Sequence, residues 1–289
     1  MNMEMAMKTR LSLEETKKSL ESQISTLRKS MPLVETNAPK CPFCGKEQPR
    51  NILLSNLVIY QNCDCGDMLN YLKVEKEISE LQRLAKETDR DILMCSDKAR
   101  KIYNSSHIGS RFIGCKFDNF DDCEFKTAFE IAKSYAENFP KSDGQGLILT
   151  GNPGTGKTHL AIAIANYLVE ELYVPVYFCN FADELNRIRA SFTKEGSASD
   201  IIIKKMIEAP LLIIDDLGKE KRSEWSDEVL YRVISNRYSD RKPIVITTNY
   251  DIKYLYDSLN PSIISRIIGS CTAVNMDGTD YRLREFYAS

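Results

Sequence analysis

Gly151-Asn152-Pro153-Gly154-Thr155-Gly156-Lys157-Thr158 spells G-x-x-x-x-G-K-T. The octet follows the apolar run Leu147-Ile148-Leu149 and opens an apolar helical pattern from Leu160 to Ala165. Strand, loop and helix in that order are the setting in which such a loop binds a polyphosphate. Its glycines let the backbone turn N–H groups inward, and the following helix directs its positive end at the anion. Lys157 is then expected to reach the β- and γ-phosphates, and the Thr158 hydroxyl to ligate Mg²⁺. A glycine-rich turn without function is the alternative, and it leaves the register of strand, helix, lysine and threonine unexplained. The expected ligand is a nucleoside triphosphate.

Two further strands end in polar groups. Leu211-Leu212-Ile213-Ile214 is wholly apolar and closes on Asp215-Asp216. Asp215 suits the Mg²⁺ water shell as the second acidic element of a phosphoryl-transfer site. Asp216 is the candidate to orient and deprotonate the attacking water, with Glu220 in reserve; a helix-capping or surface acid is the alternative. Ile244-Val245-Ile246-Thr247-Thr248 ends at Asn249, whose amide is placed to hydrogen-bond the γ-phosphate or the attacking water. An Asx turn before Asp251 is the plainer reading of that asparagine.

These strands belong to a longer alternation. Strand-like runs at Leu147–Thr150, Val174–Cys179, Leu211–Asp215, Ile244–Thr248 and Thr272–Val274 are interleaved with helical patterns over 157–170, 181–193, 199–208, 225–239 and 259–269. Such spacing predicts a parallel sheet covered by helices on both faces, with ligands at the carboxyl ends of the strands.

The amino-terminal third reads differently. Residues 11–31 form a helical pattern with a Ser12/Glu15 capping box and a seam of Leu13, Leu20, Ile24, Leu27 and Met31, closed by Pro32 and Pro39. This helix either packs on its own domain or serves as an arm for a partner. Cys41-Pro42-Phe43-Cys44 is followed after 18 residues by Cys63-Asp64-Cys65. The first pair has the spacing at which two thiolates of one turn grip a metal; the second is tighter than the usual zinc ribbon. A hairpin is expected between them, Ile52-Leu53-Leu54 against Leu57–Tyr60. The expectation is a structural Zn²⁺ held by Cys41, Cys44, Cys63 and Cys65, a closed site that folds rather than catalyses. Residues 67–104 return to an amphipathic helix, and the domain boundary is expected at 104/105.

Composition excludes several classes. Hydrophobic residues make up 43% and charged residues 28% of 289, with a net charge of -2, so any nucleic-acid site must be a local patch. No apolar run approaches the ~20 residues that cross a bilayer, and residues 1–10 lack the apolar core of a signal peptide. Nine cysteines, four of them clustered as metal ligands, fit a reducing, cytoplasmic setting. Arg187, Arg189 and Lys194 with Phe192 between them are a basic-aromatic mix suited to single strands, or else a solvated helix face; Lys219, Lys221 and Arg222 form a second basic cluster.

Taken together the chain resembles the AAA+ ATPases, and within them the DnaC/DnaI-type replicative helicase loaders and the related IstB-type transposition ATPases. The resemblance rests on Phe117-Asp118-Asn119-Phe120, the loop extended through His159-Leu160-Ala161, and Asp215-Asp216-Leu217-Gly218. Glu224-Trp225, Asn236-Arg237-Tyr238, Thr248-Asn249-Tyr250, Ser265-Arg266 and Asp280-Tyr281-Arg282-Leu283 complete it, over roughly 105–289. It implies ATP and Mg²⁺ as ligands of residues 151–159 and Asp215, Asp216 as the second Walker-B acid, Asn249 as sensor 1, and Arg266 as an arginine finger reaching the γ-phosphate of a neighbouring subunit. It also implies self-association through ATP-bridged interfaces, a hexameric helicase and single-stranded DNA as partners, no membrane, and little or no helical lid. Without that lid, neither Arg282 nor Arg284 is assigned as a second sensor. An amino-terminal zinc module is similar to the DnaI-like loaders, which tilts the choice away from a transposition helper. A zinc-bearing nucleic-acid-binding module using nucleotide structurally, and a small-molecule P-loop kinase, stand as rival functions.

Overall fold

Four of the five strands of the main sheet are buried along nearly their whole length and divide their side chains between two layers, whereas the edge strand Cys271–Asn275 exposes Thr272, Ala273 and Asn275. A computed structural model of the chain describes residues 12–13, 15–22, 25, 46, 50–52, 58–60, 66–106, 108–121, 124–139, 143–191, 198–220 and 223–283. These fall into two units, Met1–Leu93 and Met94–Ser289.

In the first unit residues 15–22 are helical, and β1 (Arg50–Ile52) pairs antiparallel with β2 (Val58–Tyr60), Arg50 opposite Tyr60. The two strands expected there pair as described, while residues 53–57 between them lie outside the described residues. Cys41, Cys44, Cys63 and Cys65 lie outside the described residues. Helix α1 (Gly66–Asn104) follows and contributes residues to both units. The division falls inside this helix because its last turns carry side chains of the second unit's core, Ala99 among them. The boundary expected from the sequence followed the helix's end.

The second unit is an α/β fold. Its elements run α2 (Lys126–Glu137), β3 (Gly146–Thr150), α3 (Lys157–Glu170), β4 (Val176–Asn180), α4 (Phe181–Ser191), α5 (Ala198–Glu208), β5 (Leu211–Asp215), α6 (Glu224–Ser239), β6 (Ile244–Thr247), α7 (Ile252–Ser258), α8 (Pro261–Ser270) and β7 (Cys271–Asn275). The five strands pair in the order β4-β5-β6-β3-β7, all parallel. Leu147, Leu149, Leu211, Ile213 and Val245 turn to one layer with α2 and α3, whereas Ile148, Leu212, Ile214, Ile244 and Ile246 turn to the other with α4 to α8. A strand buried on both faces reads as a continuous apolar run, which is why these segments lack alternation. The expected parallel sheet is thus borne out. Two helices are additions to the sequence reading. In α2 the buried stripe is only Ala128, Ala132 and Ala136, too small to stand out as an apolar face. Helix α7 is a separate short turn capped by Asp251, which accepts from the Tyr254 amide at 2.6 Å.

Arg237 holds the second layer together. It is wholly buried, and its guanidinium donates to the carbonyls of Met206, Ile207, Ala209, Pro210 and Pro243 at 2.7–3.3 Å. The first two belong to the last turn of α5 and the next two to the residues just past it, where carbonyls lack helical amide partners and the helix dipole is negative. The fifth precedes β6, so one side chain ties a helix end to a strand start. Burial pushes its pKa down to about 9. Removing the cation leaves several buried acceptors unpaired, so Arg237→Met should lower unfolding free energy by about 2–4 kcal/mol. Urea denaturation followed by circular dichroism checks this, and a loss under about 1 kcal/mol contradicts the role.

Candidate nucleotide site

The phosphate loop leaves β3 at Thr150 and enters α3 at Lys157, at the carboxyl edge of the sheet. Two of its glycines are obligatory for stated reasons. Gly154 has φ +78° and its Cα faces the Asp280 carboxylate, which a Cβ would strike. Gly156 has φ +91°, and a Cβ there would sit 2.6 Å from the Phe120 ring. Tyr281 donates its amide to the Gly154 carbonyl at 3.0 Å, so the segment after β7 lies along the loop.

The loop borders a cleft of about 730 Å³. Pro153 to His159, Asp215, Asp216 and Asn249 all line it, so the structure brings together residues separated by nearly a hundred positions. Gly151 and Asn152 contribute carbonyls instead, which accept from the Lys157 ammonium at 2.7 and 2.6 Å. His159 turns to the cleft's other wall: Nε2 lies 2.9 Å from the Lys116 carbonyl, a contact that requires a donated N–H, and its ring meets Phe120 edge-on.

Asp215 is the junction of the site. Its Oδ1 accepts from the Thr158 hydroxyl at 2.8 Å and from the Thr247 hydroxyl at 2.7 Å. Burial raises its pKa, and the two hydroxyl hydrogen bonds oppose that rise. A hydroxyl and a carboxylate converging in one cleft form an oxygen-only donor set, the chemistry that suits Mg²⁺. Thr247 also accepts from the Asp216 amide at 2.9 Å, fixing the backbone where the strand ends. The sequence reading passed over Thr247; a hydroxyl inside an otherwise apolar strand, two positions before Asn249, was the signal. Asn249 Nδ2 donates to Asp216 Oδ1 at 3.3 Å.

Other expected residues stand elsewhere. Glu220 is a correction: it is buried, accepts from the Gly218 amide at 2.8 Å and does not line the cleft, so it serves its own turn and not as a reserve base. Arg266 lies on α8, outside the cleft lining, with its guanidinium over the Tyr231 ring and donating to the Ser262 carbonyl. Arg187 is committed to the buried Glu184 at 2.8 Å, and that carboxylate also accepts from the Tyr177 hydroxyl. Arg189 stacks on Trp225 at 4.7 Å. The pair therefore has intramolecular work beyond a solvated basic face. Phe192, Lys194, Lys221, Arg222 and Arg284 lie outside the described residues. Tyr281 and Arg282 line the cleft.

A five-stranded parallel sheet with the phosphate loop on the strand beside its β7 edge and two acids at the next strand but one defines an AAA+ P-loop fold. The chain belongs to the family of IstB-like ATP binding proteins, whose model matches residues 118–289. Its relatives include the replicative helicase loader DnaC of Escherichia coli strain K12, 28% identical over 192 residues, 65% of this chain and 77% of that one. The phage-like element PBSX protein XkdC of Bacillus subtilis strain 168 is 29% identical over 204 residues, 66% of this chain and 75% of that one. The crystal structure of the DnaC helicase loader superposes with a TM-score of 0.53 at 26% identity, over 58% of this chain and 99% of that one. The fold is shared as well with the replication initiator DnaA bound to AMPPCP and single-stranded DNA, TM-score 0.52 at 20% identity, over 63% of this chain and 57% of that one. The chain is thus of the DnaC/DnaI type within the AAA+ proteins.

Lys157 generates a pH prediction. Burial is the largest cause that lowers its pKa, to about 8, against partial support from Asp216 and Asp215. A bound polyphosphate supplies compensating charge and restores the ammonium, so above pH 8 binding must take up a proton. ATP affinity should be level below pH 7 and fall above pH 8 by up to about tenfold per unit. Isothermal titration in buffers of different ionisation enthalpy reads both effects; an affinity constant from pH 7 to 9.5 contradicts them.

Proposed function

We propose that this chain is an ATP-hydrolysing loader that holds a replicative hexameric helicase and delivers it onto single-stranded DNA. The observation that carries the reading is the convergence of Lys157, Thr158, Asp215, Asp216 and Asn249 on one cleft in a chain of the DnaC/DnaI type. Lys157 would hold the β- and γ-phosphates, and the Thr158 hydroxyl with Asp215 would hold Mg²⁺, which neutralises charge developing on the phosphates. Asp216 would take the proton of the attacking water, with Asn249 orienting the carboxylate. Residues 151–159 form the rest of the cradle.

Arg266 is read as the arginine finger acting on a neighbouring copy's nucleotide. Its place outside its own chain's cleft supports that assignment and, with it, self-association through ATP-bridged interfaces. The cysteines Cys41, Cys44, Cys63 and Cys65 are read as a structural Zn²⁺ site on their spacing alone. We assign residues 1–104 to helicase capture and 105–289 to nucleotide and DNA, in a cytoplasmic protein; among the described residues no helix is long and apolar enough to cross a membrane. The family's description also fits a transposition helper, whose partner would be a transposase.

Co-purification separates these readings. With ATP present, the full chain should retain a replicative helicase of its host on an affinity column, and deletion of residues 1–93, which spares the second unit, should abolish retention while ATP binding persists. Retention of a transposase in place of the helicase would overturn the loader reading. Full retention by the truncated chain would move the helicase site onto the AAA+ unit.

A further inference from the structure

Asp216 is engaged on both carboxylate oxygens. Asn249 approaches Oδ1, and Lys219 Nζ lies 2.8 Å from Oδ2. The turn that returns Lys219 to Asp216 is fixed at several points. Leu217 donates its amide to the Thr247 carbonyl at 2.9 Å, and its own carbonyl accepts from the Thr248 hydroxyl at 2.8 Å. Gly218 donates to the Glu220 carboxylate, and the Lys219 amide to the Asp216 carbonyl. Asp216 itself adopts φ +57°, a left-handed conformation that costs a non-glycine residue about 1–2 kcal/mol. Strain of this kind gathers where a side chain has to be aimed.

An exposed ion pair three residues apart is ordinarily of small consequence. This one differs in its location. Both partners line the nucleotide cleft, and the acid is the one assigned to the attacking water. We propose that Lys219 is a positioning residue that holds Asp216 in a resting ion pair and thereby keeps basal ATP hydrolysis slow. The proposal rests on the reading of Asp216 as the base. An oxygen that accepts from an ammonium is shielded by that ammonium from an incoming water. The other oxygen accepts from the Asn249 amide that orients the carboxylate, so Oδ2 is the oxygen left to receive the water's proton, and the ammonium covers it. Lys219 is a point charge on a flexible stem with its side chain 48% exposed, so a competing anion can draw it away. Lys157 is the cation assigned to the γ-phosphate, so the latch is expected to stay closed on nucleotide binding alone.

The test uses the full chain at saturating Mg·ATP with phosphate release as the readout. Lys219→Met should raise kcat about threefold to fivefold, the scale of an exposed pair, with KM for ATP unchanged. Lys219→Arg should keep the wild-type rate, since a guanidinium also grips a carboxylate. Raising salt from about 50 to about 500 mM should speed the wild type and leave Lys219→Met level, because ions screen the pair. An unchanged or lower kcat in Lys219→Met, or an equal gain in Lys219→Arg, overturns the latch. Asp216→Asn in both backgrounds separates the two layers of the argument. If it abolishes turnover in both while Lys219→Met alone gains nothing, the latch fails and the base stands. If Lys219→Met gains and the added Asp216→Asn leaves that gain intact, the latch on Asp216 and the base reading fail together.

Discussion

One carboxylate oxygen organises the site. Asp215 Oδ1 accepts hydroxyl hydrogen bonds from Thr158, at the start of the helix after the phosphate loop, and from Thr247, at the end of the neighbouring strand. A buried carboxylate is costly unless hydrogen-bonded, and these two donors offset that cost while fixing three elements relative to one another. The consequences extend outward. Thr247 spends its acceptor capacity on the Asp216 amide, so the same hydroxyl that steadies the first acid sets the backbone of the second. The strand register then brings Asn180 beside Asp215 and Asn249 to Asp216. Removing the Thr247 hydroxyl would loosen both acids at once.

A second constraint keeps this junction in place from below. Arg237 sits in an apolar layer without a carboxylate partner and is held by backbone carbonyls alone. Such an arrangement suits the end of α5, where helix carbonyls run out of amides to accept from. It couples the segment entering β5 to the segment entering β6, the two strands whose ends carry Asp215, Asp216 and Asn249. The stability of the core and the geometry of the cleft therefore share one side chain remote from the chemistry.

Much of this was legible in the residues. The loop, its strand and its helix carry local signals that tertiary packing does not override, and β5 and α3 fall at their expected bounds. Strands buried on both faces announce themselves by unbroken apolar runs. What the sequence could not supply was pairing across the sheet. Thr247 is an ordinary β-branched residue until the register sets it beside Asp215, and Glu220 looks available until its carboxylate is found serving the Gly218 amide. Helix α2 escaped because alanines bury little area and leave a faint stripe. Arg187 resembled a phosphate ligand because a sequence does not show Glu184 buried beneath it.

The central claim is that Lys157, Thr158 and Asp215 form a preorganised cradle for Mg·ATP. A crystal structure of the chain with Mg²⁺ and a non-hydrolysable ATP analogue tests it most directly. The account predicts a metal ligated by the Thr158 hydroxyl with Asp215 beside it, and a Lys157 ammonium moved from the Gly151 and Asn152 carbonyls onto the phosphates. A nucleotide bound elsewhere, or a Lys157 that stays on those carbonyls while the cleft is filled, would contradict it.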